Sequence, residues 1–354
     1  VVWADEFNGT SVDRTKWDFQ IDGNGGGNGE MQYYTDRPEN IKVAGGNLVI
    51  TGVKEKNKYK GKEYTSGKLM SKGKGDWLYG RFEARIKIPI GGKGTWPAFW
   101  MMPTDAKYGG WARSGEIDIM ENVGHQPGTL YGTLHYHDGW PKNKHTGGKL
   151  ELPGGRLGDA FHVYAVEWEP GVMRWYFDGK LYVTQTKWDT VGHPFPAPFD
   201  QRFFYILNFA IGGAWPGKPA PDTKFPQQML VDYVRVYQPP GGFPKTAVTA
   251  APEAAAPAPA PAEPPAAPAP APEPAAPAAQ ETSTGGVPQP VAPPPAAPKA
   301  AQGKNKAGPW YAAGEFQQTN DSQDADGGAA QAAGVDADST PTPAPTMDPA
   351  GSAW

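Results

Sequence analysis

The segment Glu116–Glu121 carries three carboxylates with apolar residues between them. Successive side chains of a β-strand point to opposite faces, so Glu116 and Asp118 share one face. Glu121 has the opposite parity, and the pattern predicts a β-bulge at Met120 that returns Glu121 to the face of the other two. Three acids grouped in this way are typical of acid–base chemistry on a bound substrate.

The spacing of the outer two carboxylates indicates which chemistry. With the bulge, Glu116 and Glu121 lie roughly 13 Å apart along the backbone, at about 3.3 Å per residue. Each side chain reaches on the order of 3.5 Å beyond its Cα, and two that lean together leave a gap of about 5–6 Å. That gap is close to the carboxyl separation of a retaining glycosidase. The alternative is an acidic strand face that is exposed to solvent and does no chemistry.

Retaining hydrolysis also sets the protonation states that the site needs. One carboxylate must be ionised and one carboxyl protonated at the start of the reaction. Like charges crowded on one face raise each other's pKa, so at least one of Glu116, Asp118 and Glu121 is expected to hold a proton near neutral pH. The three acids titrate as a set.

Composition narrows the class of protein. The chain has 354 residues, a formal net charge of −4 and no cysteine. The mild acidity argues against a nucleic-acid binder, and the absence of cysteine leaves no disulfide framework. No apolar run approaches the ~18 residues that would predict a membrane span. The aromatic content of 12% suits stacking on the C–H faces of sugar rings. The chain begins at Val1 without a methionine, and we expect a processed, secreted bacterial protein.

Residues 1–238 read as one all-β domain. Short alternating runs recur between glycine, proline and Asn-Gly punctuation, and no segment has a long helical period. Many short strands over this length predict a two-sheet antiparallel β-sandwich, and a sandwich whose sheet curls into a concave groove can hold a polymer chain.

The composition changes sharply near residue 239. Residues 239–301 are mostly alanine and proline, which predicts an extended linker that cannot bury enough apolar surface to fold. Residues 302–354 are rich in glycine, alanine, aspartate, serine and glutamine, and we expect a low-complexity disordered tail. A docking segment or remnant of a second module is the alternative for this tail.

The carboxylate motif resembles the active-site signature of glycoside hydrolase family 16, in the bulged form of its laminarinase-type, endo-1,3-β-glucanase branch. Agarases and carrageenases of the family share the bulge. The resemblance extends in collinear order over about residues 2–238. Four further segments match the laminarinase branch: Asn28–Thr35, Trp96–Pro103, Gly212–Gly217 and Val231–Tyr237.

The resemblance implies a concanavalin-like β-jelly roll whose concave sheet cleaves internal β-1,3 bonds of laminarin-type or mixed-linkage β-glucans with retention. By the matching motif, Glu116 is the nucleophile, Glu121 is the general acid/base, and Asp118 adjusts their protonation. No cofactor is expected for catalysis, and we expect a monomer whose partner is the polysaccharide. The alternatives are a non-catalytic glucan-binding lectin on the same scaffold, an agarase or carrageenase, and an enzyme whose main outcome is transglycosylation.

Four tryptophans and one asparagine are candidate substrate contacts. Trp96 and Trp100 have the same strand parity, so both are predicted to face the groove, with core packing as the alternative. By resemblance, Trp111 lines the subsite beside the nucleophile and Trp215 lines the groove mouth. Asn28 is expected, also by resemblance, to hydrogen-bond sugar hydroxyls from its loop.

Two arginines and two histidines form further same-face pairs. Arg81 and Arg85 flank Glu83, and guanidinium forks can hold sugar hydroxyls or the carboxylate pair. A surface ion-pair ladder with Glu83 is the alternative. His135 and His137 could bind zinc, but no third ligand at suitable spacing is evident. By resemblance, His135 reaches into the catalytic cleft.

A structural calcium ion is expected from the resemblance alone. The family commonly carries a cation on the convex side, and the matching positions are Glu6, Gly46 and Asp232. Backbone carbonyls and one carboxylate form a hard-oxygen set that suits Ca²⁺. The alternative for Asp232 is an exposed or turn-capping carboxylate.

Overall fold

The computed structural model describes residues 1–241, and its strands form two sheets that pack face to face. No α-helix occurs within this range, and no helix there is long and apolar enough to cross a membrane. The prediction of an all-β, two-sheet sandwich is confirmed. Apart from residues 239–241, the predicted linker and tail lie outside the described residues.

One sheet has ten strands. They are β1 (Trp3–Asp5), β3 (Gln32–Tyr34), β4 (Ile41–Ala44), β5 (Asn47–Tyr59), β6 (Lys62–Ser66), β9 (Gly80–Lys87), β14 (His162–Glu169), β15 (Val172–Phe177), β16 (Lys180–Gln185) and β18 (Gln227–Tyr237). The main path runs β16-β15-β14-β9-β18-β5-β6-β3, with β1 beside β18 and β4 beside β5. Only β3 and β6 pair in parallel among the described strands.

The other sheet has eight strands. They are β2 (Asp18–Phe19), β7 (Lys68–Met70), β8 (Asp76–Trp77), β10 (Thr95–Pro103), β11 (Glu116–Glu121), β12 (Thr129–Tyr136), β13 (Lys144–Glu151) and β17 (Phe203–Ile211). The order is β13-β12-β11-β10-β17-β7-β2, with β8 beside β17. Strand β13 is therefore one edge, and β11 lies between β10 and β12.

The core lies between the two sheets and is built from alternate residues of their strands. Phe99 of β10 and Leu207 of β17 meet Phe82 of β9 and Val166 of β14 in one buried cluster. Burying an apolar side chain of this size stabilises the fold by about 1.5–3 kcal/mol. The intervening residues of the eight-stranded sheet point away from the core, and this outward side is called the site face below.

The predicted bulge in β11 is confirmed. Asp118 pairs with Thr133 of β12, and Glu121 pairs with Tyr131, so the register shifts between the two acids. The extra residue brings Glu121 to the same face as Asp118. From the opposite sheet, the Trp175 indole N–H donates to the Asp118 carbonyl at 2.8 Å and fixes the bulged backbone.

The identity of the extra residue differs from the prediction. Against β10, Met120 pairs with Phe99 and Asp118 pairs with Trp100, which leaves Ile119 without a partner. Ile119 and Met120 are both buried in the core. Two consecutive apolar side chains can point inward because the bulge interrupts the alternation between them.

Candidate active site

Glu116, Asp118 and Glu121 lie together on the site face and are called the carboxylate cluster. Asp118 is 2% exposed and Glu121 is 9% exposed. His135 lies opposite Glu116 on the neighbouring strand. Its Nε2 is 3.3 Å from Asp118 Oδ2 and 3.9 Å from Glu116 Oε1.

Each outer carboxylate accepts a hydrogen bond from a tryptophan. The Trp111 indole N–H donates to Glu116 Oε2 at 2.5 Å, and the Trp96 indole N–H donates to Glu121 Oε1 at 3.0 Å. Asp118 hydrogen-bonds Glu116. Two neutral donors thus orient the outer carboxylates, and the acid between them shares a proton with one of the two.

Two members of the cluster have a raised proton affinity. Burial raises the pKa of Asp118 well above its usual range, and the charge and hydrogen bond of Glu116 add to the effect. Burial also raises the pKa of Glu121 well above its usual range, and the charges of Asp118 and Glu116 add to it. A charge on His135 would act in the opposite direction on Glu121, as does the hydrogen bond from Trp96. Glu121 is therefore suited to hold a proton until a substrate takes it.

A tryptophan pair borders the cluster on the Glu121 side. The rings of Trp96 and Trp215 meet edge to face at 5.4 Å, and Trp215 meets Tyr131 at 5.0 Å. The backbone N–H of Ala214 donates to the Asn28 carbonyl at 2.8 Å, so the loop of Asn28 supports the loop of Trp215. Three predicted contact residues, Asn28, Trp96 and Trp215, are thus brought together beside Glu121.

Trp100 lies on the site face, as its parity predicts, but its polar atom is engaged. Its indole N–H donates to Asn208 Oδ1 at 2.6 Å, and Asn208 donates to the Tyr34 hydroxyl at 3.1 Å. That hydroxyl donates to Glu30 Oε2 at 3.1 Å. Lys68 Nζ lies 5.1 Å from the centre of the Trp100 ring. Trp100 therefore borders a buried polar network.

The sequence analysis missed Asn208 and Lys68. Asn208 is the single polar side chain on the site face of β17, where it interrupts a strongly apolar run, and this interruption is a signal that could have found it. Lys68 pairs with Asn208 across the sheet and is 8% exposed. Burial lowers the pKa of Lys68, while the charges of Glu30, Asp22 and Glu116 act to raise it. Its sequence context carries no comparable signal.

The family of the chain follows from its similarity to known proteins. The family model of glycosyl hydrolases family 16 matches residues 29–235. The chain belongs to glycosyl hydrolase family 16. A beta-glucanase of Rhodothermus marinus is 45% identical over 249 residues, which cover 67% of this chain and 85% of the relative. A glucan endo-1,3-beta-glucosidase A1 of Niallia circulans is 40% identical over 259 residues, or 67% of this chain and 38% of that protein.

The same similarity holds for solved structures. The X-ray structure of the laminarinase from Rhodothermus marinus matches with a TM-score of 0.61 and 44% identity. The match covers 67% of this chain and 96% of that one. This family 16 chain therefore contains nearly the whole length of a solved laminarinase.

Arg81 and Arg85 lie outside the carboxylate cluster, which corrects the expectation that they contact substrate or the catalytic acids. Both belong to β9 of the ten-stranded sheet, on its outward side. Arg81 forms ion pairs with Glu83 at 2.8 Å and Glu167 at 3.1 Å. Arg85 forms one with Asp232 at 2.7 Å. The alternative, an ion-pair ladder on a strand face, describes their arrangement.

His135 and His137, which are separated by one residue (an H-x-H pair), lie in different environments. His135 lies within the cluster, and ligand atoms of Glu116, Asp118 and His135 lie within 4.8 Å of one another, close enough to hold a divalent cation. His137 has a positive φ of 87°, which turns it away from the strand pattern. Its Nδ1 lies 2.5 Å from Asp189 Oδ2. The H-x-H pair therefore does not share one site.

The three positions expected to bind calcium lie on or next to strands β1, β5 and β18 of the ten-stranded sheet. Strand β18 pairs with β1 and with β5, and Gly46 lies in the turn before β5. The carboxylate of Glu6 pairs with Arg235 at 2.7 Å, and that of Asp232 pairs with Arg85. Carboxylate and carbonyl oxygens are the ligand type that suits Ca²⁺, and both carboxylates are paired with arginines in this structure.

Proposed function

We propose that the chain hydrolyses internal β-1,3-glucosidic bonds of laminarin-type or mixed-linkage β-glucans with retention of the anomeric configuration. The observation that carries this proposal is the bulged strand that gathers Glu116, Asp118 and Glu121 on one face. Two of the three acids have a raised pKa, so the cluster supplies the proton donor that glycoside hydrolysis needs. The names of the relatives from Rhodothermus marinus and Niallia circulans support the choice of substrate.

The first displacement uses the two outer carboxylates. Glu116 attacks the anomeric carbon and the glycosidic C–O bond breaks, while Glu121 gives its proton to the departing oxygen. The Trp111 N–H holds Glu116 Oε2 and thereby orients the carboxylate that attacks. The product is a covalent glycosyl ester on Glu116.

The second displacement reverses the roles. Water attacks the anomeric carbon, its proton passes to Glu121, and Glu116 departs as a carboxylate. The charge of Glu116 raises the pKa of Glu121 in the free enzyme. Esterification removes that charge, so the pKa of Glu121 falls when the group must act as a base. Two inversions at one carbon restore the β configuration.

Two alternatives have less support. A non-catalytic lectin has no need of a buried acid cluster, and all three acids are present here. A carrageenase needs free cations for sulfate. Two basic residues near the motif already have acidic partners: Arg113 pairs with Asp138 at 2.7 Å, and Lys144 pairs with Asp189 at 3.2 Å.

The direct test is product analysis on laminarin, barley mixed-linkage glucan and agarose, side by side. We expect oligosaccharides of intermediate length from laminarin, because an endo-acting enzyme cuts internal bonds. Cleavage of agarose alone would keep the mechanism and contradict the substrate. Binding to laminarin without any cleavage would contradict the assignment as an enzyme.

The structural calcium ion is also a proposal, held by Glu6, Gly46 and Asp232. A cation bound only to the folded state raises its stability by mass action, so chelation is expected to lower the melting temperature by about 5–10 °C. Added calcium should restore it. An unchanged melting temperature in excess chelator would contradict the site.

Secretion and a monomeric state complete the proposal. A polysaccharide substrate of this size is met outside the cell, which supports an extracellular bacterial enzyme. Immunodetection in culture supernatant and light scattering of the purified chain test these two points. Retention inside the cell, or a mass of two chains, would contradict them.

A further inference from the structure

Trp140 has the largest exposed fraction of the large apolar side chains in residues 1–241, at 79%. Tryptophan is usually well buried, because it loses much unfavourable contact with water on folding. A tryptophan that stays exposed to solvent on an ordered loop is available to contact a ligand.

The loop that carries Trp140 is held firmly by hydrogen bonds. Asp138 Oδ1 accepts from the Gly139 backbone N–H at 2.8 Å and from Arg113 Nη2 at 2.7 Å. The backbone N–H of Lys142 donates to the Gly139 carbonyl at 2.8 Å. These contacts on both sides hold the backbone at Trp140, so binding has to order only the side chain of Trp140 and not its loop.

This loop packs on the segment that carries Trp111. The backbone N–H that follows Trp111 donates to the Asp138 carbonyl at 3.3 Å. A Cβ built on Gly139 would lie 3.6 Å from the Trp111 carbonyl oxygen. Trp140 therefore directly follows Gly139, which faces the Trp111 carbonyl. The Trp111 indole holds the candidate nucleophile.

A row of rings leads from the cluster to the edge of the sheet. Trp111 and His135 have ring centres 5.9 Å apart, and His135 and His145 have ring centres 5.8 Å apart. His145 lies on the edge strand β13, opposite His135. The loop of Trp140 joins these same two strands, β12 and β13. Trp140 thus lies in a loop at the border of the site, on the side where the site face ends.

We propose that Trp140 stacks on a glucose unit of a bound β-glucan chain, at a subsite beyond Trp111 at the β13 end of the site face. Sugar rings present flat C–H faces, and an indole covers such a face at little cost in side-chain entropy. The inference rests on the proposed β-glucan hydrolysis and names a further specificity-determining residue for it. A long chain reaches this subsite, and a short oligosaccharide bound at the cluster does not.

The test compares a long and a short substrate in three variants. For W140A, we expect kcat/KM on laminarin to fall about three- to tenfold, mainly through KM, which is the loss expected for one aromatic stacking contact. On laminaritriose, the fall should be less than about twofold. W140F keeps an aromatic face and should recover most of the laminarin value. L181A removes an exposed apolar side chain from the other sheet and serves as the control.

Two outcomes would overturn the assignment. Equal losses on laminarin and laminaritriose would mean that Trp140 acts only by supporting the Trp111 loop. Unchanged kinetics of W140A on both substrates would mean that the Trp140 ring does not contact the glucan. A wild-type chain that leaves laminarin intact would instead contradict the proposed function, so the two failures can be told apart.

Discussion

Glu121 on the eight-stranded sheet and Glu83 on the ten-stranded sheet are buried to nearly the same degree, 9% and 8% exposed. Glu83 accepts from Arg81 Nε at 2.9 Å and Nη2 at 2.8 Å, and from the Tyr233 hydroxyl at 3.0 Å. Glu121 accepts from the neutral Trp96 indole. Both positions bury an acid, but the partner of Glu83 is a cation and that of Glu121 is a neutral donor.

The same contrast extends across the two sheets. On the outward side of the ten-stranded sheet, Glu83, Glu167 and Asp232 each pair with an arginine. Within residues 1–241, no arginine forms an ion pair with the carboxylate cluster. Burial disfavours the ionised form of an acid unless a nearby cation compensates. Buried acids that are paired with an arginine therefore stay ionised and stabilise the fold. Buried acids without an arginine keep a proton that they can donate to a substrate.

The largest expected effect is on catalysis. Glu116→Ala should lower kcat/KM on laminarin on the order of 10³-fold or more, because the nucleophile is lost. Glu121→Gln should lower it by about 10²- to 10⁴-fold, because the proton donor is lost. The control is Glu167→Gln on the other sheet, which should stay within about twofold of the wild type. Wild-type turnover in either active-site variant would contradict the assignment.

The next effect is on stability, where the two sheets should respond in opposite directions. Glu83→Gln weakens a buried ion pair and is expected to lower the free energy of unfolding by about 2 kcal/mol. Glu121→Gln removes a buried acid that lacks a cation and should raise the free energy of unfolding at pH 7 on the order of 1 kcal/mol. Urea unfolding of both variants measures the two changes. If both substitutions changed the free energy of unfolding in the same direction, the proposed contrast between the two sheets would be contradicted.

The pH dependence of that stability gain has a defined sign. The folded-state pKa of Glu121 is raised, so the folded state binds more protons than the unfolded state above the ordinary glutamate pKa of about 4.3. Wild-type stability therefore falls as the pH rises through this window. The gain of Glu121→Gln over the wild type should vanish below pH ~4 and grow as the pH rises. A gain that is largest in acid would contradict the raised pKa.

The smallest effect is on the alkaline limb of the pH profile of kcat/KM, which reports loss of the Glu121 proton. Asp118→Asn removes a charge that raises the pKa of Glu121, so the limb should move to lower pH. Trp96→Phe removes a hydrogen bond that lowers this pKa, so the limb should move to higher pH. Each shift should be about one pH unit or less. If the alkaline limb moved in the same direction in both variants, it would not report the proton of Glu121.

Local pattern was sufficient to predict part of this site. The parity conflict at Glu121 requires a bulge in β11, and the common parity of Trp96 and Trp100 places both on the site face. These predictions succeed because they depend on neighbours along one strand. Which residue is extra depends on pairing with the adjacent strand, and the structure makes it Ile119 instead of Met120.

Long-range pairing explains the predictions that failed or were never made. Strand parity places Arg81 and Arg85 on one face but does not say to which sheet their strand belongs. Asn208 reaches the site from β17, whose neighbours β10 and β7 are far away in sequence. Such placement follows from the whole sheet order, which local alternation does not determine.

The measurement that tests the central claim most directly is the anomeric form of the first products from laminarin, followed by proton NMR within minutes of adding enzyme. The account assigns Glu116 as nucleophile and Glu121 as acid/base in two successive inversions, so the β-anomer should appear first and the α-anomer only later by mutarotation. Initial release of the α-anomer would show a single inversion and contradict the covalent role of Glu116.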